Sequence, residues 1–370
     1  MSTVDLGLGD AVTLRLVGAC EADSAAVQRQ TGLRVTATAT EPHLVVRFVP
    51  HLPVQTLRLV GTHLGCVPDG VVVSTGDAGP GRRTYLPLTS LADGAGPPEV
   101  LCEAGSGPVA LVVELVNLVA LRRGLLALHA AAVDIDGTGV VVTGWSKGGK
   151  TETVLGVMAE SDATFIADEW LYIDPVRRIV LGSAHPMRLW EWHVQQLPHL
   201  VDRIPEKDRR RFRTVRGVRR LRAHVPARVV ETSPVKFLDA VMPLLERRAG
   251  VHLPPDGLFD GRVRATAPFD RLIHVVSWSR ADYELETVSS SWVAARMSWS
   301  LRTERRALTD AYDALRFAYP DAISPWLDDA VARESHLMAK AFDRVDAMEL
   351  RHPHPVSIRH LARHVLQAGG

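Results

Sequence analysis

Val140-Val-Val-Thr-Gly-Trp-Ser-Lys-Gly-Gly-Lys-Thr151 decides the fold class. Its first four residues read as a short, largely apolar strand, and Gly144 to Thr151 fit G-x-x-x-x-G-K-[ST] in full. Glycines let backbone N–H groups turn inward around phosphates, and a following helix adds its positive N-terminal end. Residues 151–160 continue as that helix, with Val154, Leu155 and Met158 on one face. Strand, glycine-rich loop and helix form the context that the motif requires. Lys150 is therefore expected to reach the β/γ-phosphates of a nucleoside triphosphate, and the Thr151 hydroxyl to ligate Mg²⁺. The expected nucleotide-binding set is Gly144, Trp145, Ser146, Lys147, Gly148, Gly149, Lys150, Thr151 and Glu152.

Such a loop is usually completed by an acidic residue at the end of a neighbouring strand. Thr164-Phe-Ile-Ala167 reads as a buried strand, and Asp168 and Glu169 follow it, 18 and 19 residues after Lys150. That interval suits one short helix and a return strand. Two adjacent acids could divide the work, one accepting a hydroxyl proton and the other helping Thr151 hold the metal. Leu171-Tyr-Ile-Asp and Arg178-Ile-Val-Leu flank Asp174-Pro175, which suggests a hairpin.

Upstream and downstream, the residues carry a family pattern. His129-Ala-Ala-Ala-Val-Asp-Ile-Asp-Gly-Thr-Gly-Val-Val-Val-Thr-Gly-Trp-Ser-Lys-Gly-Gly-Lys-Thr-Glu152 resembles the core of HPr kinase/phosphorylase, which shows a histidine, V-D-I-x-G-x-G-V and T-G-x-S-x-x-G-K-[ST]-E. Phe165-Ile-Ala-Asp-Glu-Trp-Leu-Tyr-Ile173 is similar to that family's strand ending in A-D-D-x-V. The resemblance covers residues 125–182. It implies an α/β core of the HPr kinase and phosphoenolpyruvate carboxykinase type, a phosphate-binding-loop (P-loop) kinase with ATP and Mg²⁺. It implies Asp168 as catalytic acid/base, His129 near the transferred phosphate or the acceptor, and Glu169 where the family has a second aspartate. The chain also departs from the pattern. Ala184-His-Pro-Met-Arg-Leu-Trp-Glu-Trp-His193 stands where the family carries E-I-R-G-x-G, and Trp145 and Lys147 replace the usual Asp and Gly. These departures place the chain nearer to the diverged HPr-kinase-like proteins and argue against HPr itself as the substrate.

Around this core, the first hundred residues read as strands: Val12–Val17, Leu33–Thr38, Leu44–Val49, Leu57–Val60 and Gly70–Ser74, separated by turn-prone segments. Asp93–Pro108 is rich in Gly and Pro and reads as a loop before an apolar helix near 109–123. Leu128–Ile135 and Leu272–Trp278 read as core strands, residues 236–247 as a helix, and about 292–317, 326–350 and 356–366 as further helices. The expected organisation is a strand-rich domain over 1–107, a kinase core over 108–290 and a helical region over 291–370.

Between Asp202 and Arg228 there are eleven Lys/Arg against three acids, a net +8 in a chain of net +1. Such a field steers anionic partners. Phe212 is the only aromatic there, which argues against a single-stranded nucleic-acid platform. The segment is read either as a solvated arm or as an arm beside the active site, with Arg209, Arg210 and Arg211 recruiting an anionic substrate. Arg188 is a candidate contact for the transferring phosphoryl group, set against an ordinary surface arginine. His352, His354, His360 and His364 have metal-like spacing, but no cysteine or carboxylate completes a set. Trp190, Trp192, Trp278, Trp292 and Trp299 are read as core or pocket walls. The stretch Val109–Val133 is interrupted by Glu114, Asn117, Arg122 and Arg123, so no membrane span is expected. Three widely spaced cysteines fit a reducing cytoplasm.

The expected activity is transfer of the γ-phosphoryl group of a triphosphate, ATP or GTP, to a hydroxyl of a small molecule or to Ser/Thr of a peptide or protein. The alternative from another class is a non-catalytic nucleotide-binding sensor or assembly protein. A decarboxylating carboxykinase rests on fold kinship alone. Self-association is left open.

Overall fold

The structure, a computed structural model, describes residues 2–37, 41–54, 56–75, 81–94, 96–105, 107–223 and 250–368. The helix expected over 236–247 lies outside the described residues. Among the described residues the chain is mixed α/β with four sheets, and no helix is long and apolar enough to cross a membrane.

The first sheet uses alternating apolar residues to bury one face. Its strands are β1 (Thr3–Leu8), β2 (Val12–Val17), β3 (Arg34–Val35), β4 (Leu44–Val49), β5 (Arg58–Leu59), β6 (Leu64–Val67), β7 (Gly70–Thr75), β8 (Arg82–Leu86) and β9 (Glu99–Glu103). They lie in the order β3-β1-β2-β4-β9-β8-β7-β6-β5. Helix α1 (Glu21–Thr31) crosses from β2 to β3 and ends at Gly32 in the left-handed region, with φ 63°. β9 corrects the reading of Asp93–Pro108 as a loop. Val100 and Cys102 are fully buried, and β9 pairs in parallel with β4, so tertiary pairing outweighs the Gly/Pro flanks.

After α2 (Val112–Arg122), the expected single strand Leu128–Ile135 is two strands in different sheets: β10 (Leu126–Leu128) and β11 (Ala131–Ile135). His129 and Ala130 make the break. β10 pairs with the hairpin β14 (Leu171–Asp174) and β15 (Ile179–Gly182), which β18 (Thr266–Pro268) extends. β11 turns through Asp136-Gly137 into β12 (Thr138–Thr143) and pairs on its other side with β13 (Thr164–Ala167). β12 then pairs in parallel with β19 (Arg271–Trp278), β19 pairs in parallel with β21 (Asp346–Pro353), and β20 (Glu284–Val288) closes the edge antiparallel. β21 corrects the expected helix over 326–350, which ends at Phe342. Small strands β16 (Met187–Leu189) and β17 (Val251–Leu253) form a two-stranded ribbon.

Besides a single turn at Pro255–Leu258, the remaining α-helices among the described residues are α3 (Lys150–Glu160), α4 (Glu191–Gln196), α5 (Glu206–Ala223), α6 (Ser290–Glu304), α7 (Arg306–Ala318), α8 (Pro325–Phe342) and α9 (Ile358–Ala368). Buried residues of α6, α7 and α8 share a core with the first sheet and α2, whereas those of α9 share one with α3 and the β11–β12–β19 layer. The residues expected as one C-terminal helical region thus serve two cores.

Candidate active site

The loop between β12 and α3 takes its shape from its glycines. Gly144 (φ 152°) and Gly149 (φ 103°) have positive φ, and a Cβ on Gly144 would meet the Val275 carbonyl at 2.5 Å. His352 on β21 braces the loop from below, its Nε2 donating to the Gly148 carbonyl at 2.8 Å. Lys150 is buried and donates to the Gly144 and Trp145 carbonyls, both at 3.1 Å, so its ammonium closes the loop's mouth. Burial lowers its pKa, against the attraction of Asp168 and Glu169.

Asp168 follows β13 and sits beneath the loop. Thr151 Oγ1 donates to its carboxylate at 3.0 Å. Asp168 is 3% exposed, and burial together with the neighbouring Glu169 charge raises its pKa to about 7, partly offset by the Thr151 hydrogen bond. Glu169 turns the other way on a left-handed backbone, φ 81°, a conformation costing about 1–3 kcal/mol in a non-glycine residue. Its carboxylate lies 3.3 Å from His129 Nε2.

His129 occupies the break between β10 and β11, stacked on Trp170 with centroids 5.6 Å apart. Its Nδ1 donates to Glu304, the last residue of α6, at 2.5 Å. Burial opposes the imidazolium, but the hydrogen bonds to Glu169 and Glu304 outweigh it and push the His129 pKa up to about 9. The hydrogen bond from His129 is also the largest cause of the lowered Glu169 pKa. At neutral pH the group is thus a cation held between two carboxylates.

These residues converge on a cavity of about 680 Å³, within the usual size of a ligand site. Ser146, Lys147, Gly149, Lys150, Thr151 and Glu152 line it from the loop and the start of α3, and His129, Asp168 and Glu169 line it as well. Glu152 accepts from His193 Nε2 at 3.0 Å, and His193 Nδ1 in turn accepts from the Trp190 amide at 3.2 Å. Arg188 lines the cavity with its guanidinium 4.0 Å from the Trp190 ring centroid. Gly144, Trp145 and Gly148 face a second cavity behind the loop, and Trp145 is 55% exposed.

The other candidates are dispersed. Trp190 and Trp192 are cavity walls, whereas Trp299 is exposed beside the second cavity. His352 and His354 reach the main cavity, but His360 and His364 pack on Tyr283 from α9. Among the described residues no group of three or more His, Cys, Asp or Glu is arranged to hold a metal ion. Arg209 and Arg210 pair with Glu206, and Arg211 with Asp208. None of the three lines the cavity, and Arg219 does. Sequence reasoning missed Glu304, which lies 175 residues from His129, and the pairing of His193 with Glu152.

The chain matches no protein-family model and no curated protein.

Proposed function

We propose that the chain is a phosphotransferase that moves the γ-phosphoryl group of ATP, with Mg²⁺, to an alcohol acceptor, on a core of the HPr kinase and phosphoenolpyruvate carboxykinase type. The observation that carries this reading is the convergence of Lys150, Thr151 and Asp168 on a single cavity, with Thr151 hydrogen-bonded to Asp168. Phosphoryl transfer needs positioning and charge neutralisation more than covalent chemistry from the protein, and these residues are suited to both.

The donor's phosphates would lie against the loop amides and the N-terminus of α3, with Lys150 exchanging a loop carbonyl for a phosphate oxygen. A hydroxyl and a carboxylate within 3.0 Å of each other form an all-oxygen pair that fits Mg²⁺, which is commonly held by one or two protein oxygens plus phosphates and water. When bound, Mg²⁺ supplies charge neutralisation on the phosphate oxygens. Asp168, buried beside the Thr151 hydroxyl at the cavity wall, is placed to accept the proton of the attacking hydroxyl. His129, charged between Glu169 and Glu304, lines the same cavity and supplies a fixed cation to charge that shifts during transfer. A sensor needs the loop but has no use for a buried carboxyl of raised pKa beside a clamped histidine.

The test is mass spectrometry of a mixture of hydroxy acids and Ser/Thr peptides incubated with the protein, ATP and Mg²⁺. One phosphoryl group should appear on a hydroxyl with wild type and not with Asp168→Asn. Transfer by the variant at the wild-type rate would remove Asp168 from the reaction.

A further inference from the structure

Helix α5 carries eight cations between Glu206 and Arg220 against two acids. Its orientation is fixed from both sides. Phe212 and Val215 are buried in the core. Glu191, 3% exposed at the start of α4, accepts from Arg216 at 2.7 Å and from Arg219 at 3.4 Å. This anchors the middle of the helix against the segment that supplies Trp190 and Trp192 to the main cavity.

Arg219 lines that cavity and also a neighbouring open groove of about 600 Å³. The groove's other walls include Arg216 and Arg220 on one side and Val194, Pro198 and Val201 on the other. Cationic and aliphatic walls running up to the mouth of a reaction cavity suit a chain that alternates acidic and apolar side chains. The helix's aromatic ring, Phe212, is buried, so it offers no face for stacking bases.

We propose that an acidic polypeptide segment docks in this groove and presents a Ser or Thr hydroxyl to the cavity, the presentation resting on the phosphotransferase reading while the docking does not. The excess positive charge on α5 raises the local concentration of such a segment and fades with salt as the Debye length shortens from about 10 Å at 0.1 M to about 3 Å at 1 M.

The test is fluorescence anisotropy with a fluorescein-labelled peptide of alternating Glu, Leu and Ser, and with its Gln counterpart. Wild type should bind the Glu peptide at least about tenfold more tightly than the Gln peptide, with affinity falling as NaCl is raised. Arg216→Gln with Arg220→Gln should lose most of that affinity. Because Arg216 contacts buried Glu191, the single change Arg220→Glu serves as a second variant that leaves the Glu191 contacts in place, and it should weaken binding in the same direction. Binding unchanged in both variants, equal binding of the Gln peptide, or no binding by wild type at low salt would overturn the proposal. An oligothymidylate of equal charge binding more tightly than the peptide would assign the surface to nucleic acid instead. Binding of a fluorescent ATP analogue, measured in parallel, separates the two readings: its failure with peptide binding retained sinks the phosphotransferase and leaves the docking groove.

Discussion

Asp168 carries a measurable signature even without an acceptor. Its pKa rises from 3.8 in the unfolded chain to about 7 in the fold, so the folded state holds a proton that the unfolded state has released between those values. Stability therefore falls as pH climbs through this window, and the penalty is fully present above about pH 7. Asp168→Asn removes the ionisation while keeping an acceptor for Thr151. In EDTA the variant should melt above wild type at pH 8, and the gap should close towards pH 4; a constant gap would contradict the buried, raised carboxyl. Much of the residue-scale site was legible because it is local. Gly144 to Thr151 and Asp168-Glu169 lie within one strand–loop–helix–strand unit, where spacing fixes who meets whom. Glu304 was not legible, since its meeting with His129 depends on where α6 ends against β10, and no spacing rule spans 175 residues.

The main elements around the loop followed from apolar periodicity, but those whose identity depends on a distant partner did not. Residues 346–353 contain Ala, Met, Glu and Leu, good helix formers that continue a helical pattern, yet they pair with β19 and β20 in the middle of the core. The His129 break was hidden because Leu126–Ile135 is apolar apart from His129 and Asp134 and has no Gly or Pro at the break, so only sheet membership shows where it divides. The packing of α3 on α9 gives a test at this scale. A Cβ on Gly156 would meet the Ile358 carbonyl at 2.6 Å and the Ala362 Cβ at 2.9 Å. Gly156→Ala gains about 1 kcal/mol of helix propensity, but the clash is with backbone, and overpacking costs about 1–3 kcal/mol. The urea midpoint should therefore fall, and a rise would show that α9 is not seated on α3 as described.

At the scale of the whole molecule, distant segments meet at one cavity. The glycine-rich loop and Asp168 come from the β12–α3–β13 unit, His352 from β21 and Arg219 from the basic helix, while Glu304 of the C-terminal helices holds His129 from behind the lining. A reading of consecutive domains could not anticipate this, because α6–α8 pack with the first sheet while β21 and α9 complete the core beside the loop. The central claim is that this cavity transfers a phosphoryl group, and water can stand in for the unidentified alcohol. The direct measurement is release of labelled phosphate from γ-labelled ATP by purified protein, beside nucleotide binding by the same preparation. Wild type should release phosphate slowly and only with Mg²⁺. Lys150→Ala should lose about 10²-fold or more of that rate, and Asp168→Asn should bind ATP yet release almost none. Equal release by wild type and Asp168→Asn, or tight binding by wild type with no release at all, would contradict the account.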